Sequence, residues 1–481
     1  MIESAFSQLR FAYSILTGRR FSVRGLERLA KSLLETQAEF GMQSADKDKS
    51  VLTGPSLEQN AMHAMQLRRF KMQATRARSG TDYYKELFAQ NNINPEKLSF
   101  DDIIRIPITS SDDIREMPEA FVHHNAKPVF RTTTTGTTGK PTSVSFSKYE
   151  MDCYAALGAI GLLNSGKISS EDSVLLCSSS RAMLGNECAY GSYIQAGVLV
   201  CHGGLVDPKI TLARLTQKPS VSQKKDRFTL LVTYPSYLGQ LIETALQEGY
   251  KLDDFGLRRI FCGGEIVTEG LKRRAREVFG DIAFDTDFGM TEIWPMTGQH
   301  CEQNHMHFDA STGLIEVCDP ETHEPLYEEG RLGVLVATPF PPFRETTLVL
   351  RYNTQDIVRI VPQSLTCTLA YMPAVSNLLG KYKLGVRHEN SWTTVRDIAE
   401  ALEDLDEIPL PARYSFWERS GGVEIEVVTR SQDGSIRNKI ENHLLECGIP
   451  VRELTLLSDK SKLQKPLPLR GDLRELSFSA T

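Results

Sequence analysis

The spacing of apolar and polar positions changes character twice along the chain. Over residues 1–90, apolar positions recur three and four apart in RGLERLAKSLLETQAEF and again in LRRFKMQATRARSGTDYYKELF, the period of amphipathic helices. The polar run QSADKDKSVLTGPS between them, with its glycine and proline, reads as a loop. From about 170 to 290, short β-rich runs (SVLLCSSS, GVLVCHGG, FTLLVTYPS, RRIFCGGE, DIAFDTDFG) alternate with the helical stretches PSYLGQLIETALQEGY and VTEGLKRRAREVFG. That alternation predicts an α/β unit with parallel strands. Ligands of such sheets sit beyond the carboxyl ends of the strands, which here are residues 234–236, 263–265 and 287–292. After about 380 the pattern becomes mixed: TTVRDIAEALEDL and GSIRNKIENHLLECG are helical, while ARYSFWER, GGVEIEVVTR and VRELTLL are strand-like. This predicts an α+β unit of about 100 residues whose helices cover one face of an antiparallel sheet.

Composition narrows the class of protein. A prior of about 150 residues per domain suggests three domains in 481 residues. With 41% hydrophobic and 24% charged residues the chain is neither disordered nor fibrous. Fifty-five basic against 61 acidic side chains give a net charge of −6, which carries no sign of a nucleic-acid-coating protein, although a local basic patch is compatible with such a sum. The cluster in residues 68–78 is one: it reads either as the solvated face of a helix or as a contact for an anionic partner. Nine scattered cysteines without a CxxC do not form a disulfide framework. The N-terminal stretch is interrupted by Gln8 and Arg10, and no run approaches the length that spans a bilayer. A cytoplasmic protein that uses neither membrane nor nucleic acid is the expectation, with a homodimer left open.

The densest chemistry lies at 132–142, TTTTGTTGKPT, behind Val129 and Phe130. Glycines let backbone N–H groups approach an anion, threonine hydroxyls donate to phosphate oxygens, and Lys140 supplies charge. The spacing is not that of a Walker A loop, because only two residues separate Gly136 and Gly139. By composition alone the run is equally a polar turn.

The order of residues resembles the phosphate loop of adenylate-forming enzymes, the acyl-CoA synthetase superfamily, in its phenylacetate-CoA ligase branch. Four further segments are similar to that branch and fall in the same order: SSDDIREMPEAF (110–121), CGGEIV (262–267), DFGMTE (287–292) and RYNTQDIVRI (351–360). The similarity spans roughly residues 60–380. It implies an α/β fold with a large N-terminal adenylate-forming domain of parallel-rich sheets (1–379) and a small C-terminal α+β lid domain (380–481). Three similar domains therefore become two unequal ones.

The resemblance also implies roles. Thr134, Thr135, Gly136, Thr137, Thr138, Gly139 and Lys140 would cradle the phosphates of ATP, with Thr291 on the α-phosphate and Glu292 as the Mg²⁺ ligand. Phe288, where tyrosine is usual, would stack on adenine among Asp287, Gly289 and Met290. The turn of Gly263, Gly264 and Glu265 would border the nucleotide, and Asp356 would accept the ribose hydroxyls. The acid, aromatic or otherwise apolar, would lie among Tyr234, Ser236, Gly264, Phe288 and Trp294. Taken singly, Glu292 could be a helix-terminal acid, Asp356 a turn residue and Phe288 a core ring.

A second constellation, HCEQNHMHFD (300–309), packs three histidines and a cysteine into a density that suggests Zn²⁺. Some members of the branch hold a structural metal here. Cys301 and His307 match its first two ligands and Cys367 its third, while the fourth is missing or drawn from His300 or His305. The resemblance thins at the hinge, where a Gly-Arg-x-Asp-Asp run is replaced by Gly380, Lys381, Tyr382, Lys383 and Leu384. In the tail, Lys465 is the expected catalytic lysine, with Lys462 close behind. The implied reaction is adenylation of a carboxylic acid followed by acyl transfer to coenzyme A. The alternatives are transfer to an amine or a carrier-protein thiol, and a nucleotide-binding scaffold without catalysis.

Overall fold

The computed structural model describes residues 2–41, 58–134, 142–178, 183–218, 220–388 and 392–463. The expected loop QSADKDKSVLTGPS lies wholly outside them. The chain divides into two compact units: Met1–Asp172, Ser179–Val200 and Asp287–Asn377 form one, and Ser173–Ser178, Cys201–Thr286 and Leu378–Thr481 the other. The sequence places its boundary at 379/380; the chain enters the second unit at Leu378, but that unit also takes in 201–286.

In the first unit the amphipathic periods form Val23–Phe40, Gln59–Gly80 and Asp82–Gln90. The last two are separate helices because Thr81 leaves the helical conformation and its side chain accepts from the Tyr84 N–H, capping the second. One face of Gln59–Gly80 is buried, and it carries three polar side chains among its apolar ones. Gln66 and Gln73 donate to the carbonyls of Gly313 and Arg344. Arg69 is fully buried against the rings of Phe340 and Phe343 and donates to the Pro341 carbonyl. Burial pushes its guanidinium down to about 9. The reading of the basic run as a solvated face therefore fails at Arg69, whose neighbours are aromatic rings.

Two antiparallel sheets position the motifs of this unit. In one, Leu332–Pro339 lies between Gly313–Cys318 and Tyr352–Arg359. In the other the order is Ala374–Ser376, His305–Phe308, Thr297–His300, Phe288–Gly289.

The second unit carries the parallel sheet. Ser173–Leu176, Leu230–Thr233, Arg259–Cys262 and Ala283–Asp285 run side by side in that order. Pro235–Glu248 and Glu269–Phe279 pack on it through Leu238, Leu241, Ile242, Leu271 and Ala275, all essentially buried. The C-terminal run follows the sequence reading for its helices, Val395–Glu403 and Gly434–Glu446. Its sheet differs: Tyr414–Arg419 is antiparallel to Gly422–Val428, but Val451–Leu457 is parallel to it. The helix Gly434–Glu446 makes the crossover that a parallel pair requires.

This run is fastened to the helix Glu269–Phe279. A Cβ at Gly270 would lie 2.3 Å from the Glu403 carbonyl oxygen, so only glycine allows the approach. Arg274 donates to the Ile408 carbonyl and pairs with Glu243 at 2.7 Å, and Arg430 pairs with the same carboxylate at 2.6 Å. Gly380, with φ 119°, has the Val395 side chain 2.8 Å from where its Cβ would stand.

Candidate active site

The phosphate-loop reading meets the structure only at its ends. Pro128–Thr133 pairs antiparallel with Ser143–Ser147, and the Thr134 N–H donates to the Thr142 carbonyl at 2.9 Å. The two strands thus pair on either side of the Thr/Gly-rich run. Thr135, Gly136, Thr137, Thr138, Gly139 and Lys140 lie outside the described residues, as does Lys465. Lys462 is described and exposed, donating to Ser458 Oγ.

In the first unit, the strand Phe288–Gly289 brings Phe288 into the four-stranded sheet, nine-tenths buried, with its ring edge-on to Phe308 at 6.2 Å. The chain then turns. Asp287 is exposed, Met290 and Thr291 are half-buried, and Glu292 is buried. Trp294 packs edge-on against Tyr154 at 6.3 Å.

Asp356 is buried on Tyr352–Arg359 at a break in register with Leu332–Pro339. Gln355 beside it has φ 61°, and the Asp356 N–H turns to Thr354 Oγ1 instead of the ladder. A bulge of this kind re-aims a side chain. Arg351 opens the motif but serves the fold: fully buried, it pairs with Glu316 and donates to the carbonyls of Ile104 and Ile106.

Tyr352 is the residue that sequence reasoning passed over. Its hydroxyl is buried, and burial, then the neighbouring carboxylates of Glu292 and Asp356, push its pKa well above the ordinary phenol value. It therefore stays protonated at neutral pH. Two carboxylates that the sequence separates by more than sixty residues share one phenol as neighbour. Tyr352 stands inside the motif that carries Asp356, but nothing along the chain marks its closeness to Glu292.

In the second unit, Tyr234 and Ser236 follow the strand Leu230–Thr233, while Gly263, Gly264 and Glu265 follow its neighbour Arg259–Cys262. The two carboxyl ends are tied together: Ser236 N–H donates to Glu265 Oε2 at 2.9 Å and Ser236 Oγ to Oε1 at 3.1 Å. Gly264 takes the left-handed φ of 82° that this turn needs. Tyr234 and Ser236 are both buried.

The expected metal residues converge. Ligand atoms of Cys301, His305, His307 and Cys367 lie within 4.8 Å of one another. Antiparallel pairing of Thr297–His300 with His305–Phe308 builds the set, because His305 and His307 are two apart on a strand and share a face. Cys301 begins the hairpin turn, its carbonyl accepting from the Asn304 N–H. Glu302 accepts from both the N–H and the hydroxyl of Thr368, which holds Cys367 at the turn.

A tetrahedral zinc site has Zn–S near 2.3 Å and Zn–N near 2.0–2.1 Å, so its ligand atoms stand roughly 3.3–3.8 Å apart. Cys367 Sγ and His307 Nε2 are 3.3 Å apart. Burial pushes His307 down to about 4, so its ring is neutral, and Nδ1 donates to the Met372 carbonyl, leaving the Nε2 lone pair for the cluster. Among the described residues, the buried Nδ1 of His305 has no hydrogen-bond partner. Of the two candidates for a fourth ligand, His305 is the one whose ring lies in the cluster, while His300 Nε2 bonds to Asn377 Oδ1 at 2.9 Å. Burial pushes the Cys367 thiol up, and a hydrogen bond with Cys301 adds to this. Two thiols and two imidazoles, one of them with an orphaned nitrogen, fit a zinc ion, whose binding would displace the thiol protons.

A family model described as AMP-binding enzyme matches residues 35–337. The chain belongs to this family. It is similar to the phenylacetate-coenzyme A ligase of Thermus thermophilus, 27% identical over 322 residues that cover 65% of this chain and 68% of that one. The phenylacetate-coenzyme A ligase of Escherichia coli is 25% identical over 317 residues, 63% of this chain and 68% of its own. Among solved structures, 2-hydroxyisobutyryl-CoA ligase in the postadenylation state with 2-HIB-AMP aligns at a TM-score of 0.69 and 18% identity, over 86% of this chain and 90% of that one. This family member thus shares its fold with adenylate-forming ligases. No helix among its described residues is long and apolar enough to cross a membrane.

Proposed function

We propose that this chain activates a carboxylic acid with ATP and passes the acyl group to coenzyme A. A carboxylate oxygen attacks the α-phosphorus, the bond to pyrophosphate breaks, and an acyl-adenylate forms. The thiol sulfur then attacks the acyl carbon, and AMP leaves. Membership of the AMP-binding family supports the reading, and one observation carries it: Glu292 and Asp356, from two separate motifs, are both buried acids in the first unit. Buried carboxylates are costly unless their charges have work to do.

Phosphoryl-type displacement depends on positioning and charge. Thr134, Thr135, Gly136, Thr137, Thr138, Gly139 and Lys140 are proposed to hold the phosphates, with Lys465 and Thr291 at the α-phosphate. Glu292, beside Tyr352, suits Mg²⁺ because a hard carboxylate matches a hard ion, which when bound neutralises phosphate charge. Phe288 offers its ring to adenine, bordered by Asp287, Gly289 and Met290, and Asp356 accepts the ribose hydroxyls. Gly263, Gly264 and Glu265 border the nucleotide. Tyr234, Ser236, Gly264, Phe288 and Trp294 are proposed as walls for an aromatic or apolar acid. Cys301, His305, His307 and Cys367 would hold a structural zinc ion. Residues 380–481 are proposed as the lid over a domain formed by 1–379, and a homodimer is tested by light scattering.

Exchange of labelled pyrophosphate into ATP across a panel of acids tests the first step, and exchange that depends on one acid is expected. No exchange with ATP still bound would leave only a nucleotide-binding scaffold. The substituted hinge at Lys381 and Lys383 makes the acceptor a separate question. AMP release should depend on coenzyme A; release with an amine or a carrier thiol instead would reassign the second step. Asp356→Ala should weaken ATP use by about 1.5–3 kcal/mol, the value of a charge-assisted hydrogen bond. Unchanged ATP kinetics in the folded variant would remove Asp356 from the site.

A further inference from the structure

The helix Gln59–Gly80 has a second face, and it lines a cleft of about 870 Å³ that none of the motifs above uses. Arg68, Lys71, Met72, Thr75 and Arg76 recur three and four apart and point to that cleft. Arg19 and Arg20 enter just beyond the helix Ile2–Thr17, and Glu96 and Glu345 are the two carboxylates of the cleft. Five cationic side chains against two carboxylates leave a net charge of +3. His123, also in the lining, adds none at neutral pH, because burial first and then Arg76 push it below its ordinary range.

The charges are unevenly paired. Arg20 is held by Glu345 through two bonds of 2.5 and 2.7 Å, and Glu345 also accepts from Ser147 Oγ. Among the described residues, Arg19, Arg68, Lys71 and Arg76 have no ion-pair partner, and the buried Nε of Arg76 has no hydrogen-bond acceptor. Burial lowers the Arg76 pKa against the pull of Glu345. Like charges crowded around a concavity repel one another, and the arrangement becomes favourable when an anion enters.

We propose that this cleft binds a small oligophosphate, at a site other than the phosphate loop. Two phosphate groups carry about −1.5 to −2 each at neutral pH, which matches the excess of positive charge. The volume falls within the range of small-molecule sites, roughly 300–1,000 Å³. Arginine forks suit phosphate oxygens, and Met72 and Ala126 give an apolar floor on which an organic body can rest. The shared chemistry is that of inorganic polyphosphate and of a nucleotide's phosphate chain.

The test uses the full chain and calorimetric titration with two probes, inorganic tripolyphosphate and adenosine 3′,5′-bisphosphate, with sulfate as control. Wild-type protein should bind at least one probe at a site that Arg68→Glu/Lys71→Glu weakens about tenfold or more. The conservative Arg68→Lys/Lys71→Arg should keep that site, and unfolding curves of both variants establish that they are folded. Tighter binding of tripolyphosphate would name the inorganic source, and tighter binding of the bisphosphate the nucleotide. Binding of neither probe, or binding that charge reversal changes less than about twofold, overturns the proposal. Pyrophosphate exchange into ATP, read in parallel, reports on the phosphate loop alone.

Discussion

Two places in the first unit gather side chains of one chemical kind around a space. At Cys301, His305, His307 and Cys367 the donors are short, mostly buried and of types that exist as neutral thiols and imidazoles, and strand register brings them within 4.8 Å of one another. Around Arg68, Lys71 and Arg76 the groups are long, charged and partly exposed, and a helix spaces them along a cleft. A cation site can be assembled before its ion arrives, because neutral thiols and imidazoles do not repel. An anion site made of fixed cations cannot be drawn so tight, since bringing guanidinium groups together costs Coulomb energy until the ligand is present. Convergence therefore marks the first, and spacing with unpaired charge marks the second.

The largest effect should come from removing a metal ligand. Purified protein is expected to hold about one zinc per chain by elemental analysis, and Cys301→Ser should lose it along with thermal stability, because binding energy of a structural metal is folding energy. Metal retained in a folded Cys301→Ser variant would break the comparison at its first term. A finer test sets two histidines against each other. His305→Ala should lower metal affinity by at least about tenfold, while His300→Ala, whose Nε2 bonds to Asn377, should leave zinc content unchanged. The reverse ranking would move the site.

The smallest effect concerns salt. Oligophosphate affinity at the cleft should fall several-fold between about 50 and 300 mM salt, as screening shortens the reach of exposed charges. Zinc content, set by bonds inside a buried cluster, should not change over that range. Salt-insensitive phosphate binding would mean that fixed hydrogen bonds, not charge, hold the ligand.

Much of the fold was legible because its elements announce themselves locally. The parallel strands Leu230–Thr233 and Arg259–Cys262 are continuous apolar runs with helical periods between them. The C-terminal sheet was harder: nothing in VRELTLL shows whether it lies parallel or antiparallel to its neighbour, since direction depends on the path of the helix before it. The motifs around Phe288, Glu292 and Asp356 were readable as strings, yet the phenol of Tyr352 that neighbours two of them was not, because closeness across sixty residues has no local period.

By itself the sequence determined the α/β alternation, the helical N-terminal region, the order of motifs that resembles adenylate-forming enzymes, and three of the four residues in the Cys/His cluster. These depend on periodicity and on residue type, which are properties of neighbours along the chain. Only the tertiary structure decided that His305 and not His300 completes the cluster, that Arg69 is buried while Arg68 faces a cleft, and that Glu292 and Asp356 meet one tyrosine. Adjacent residues on a helix point in different directions, and which direction faces solvent is settled by what packs there from elsewhere in the chain.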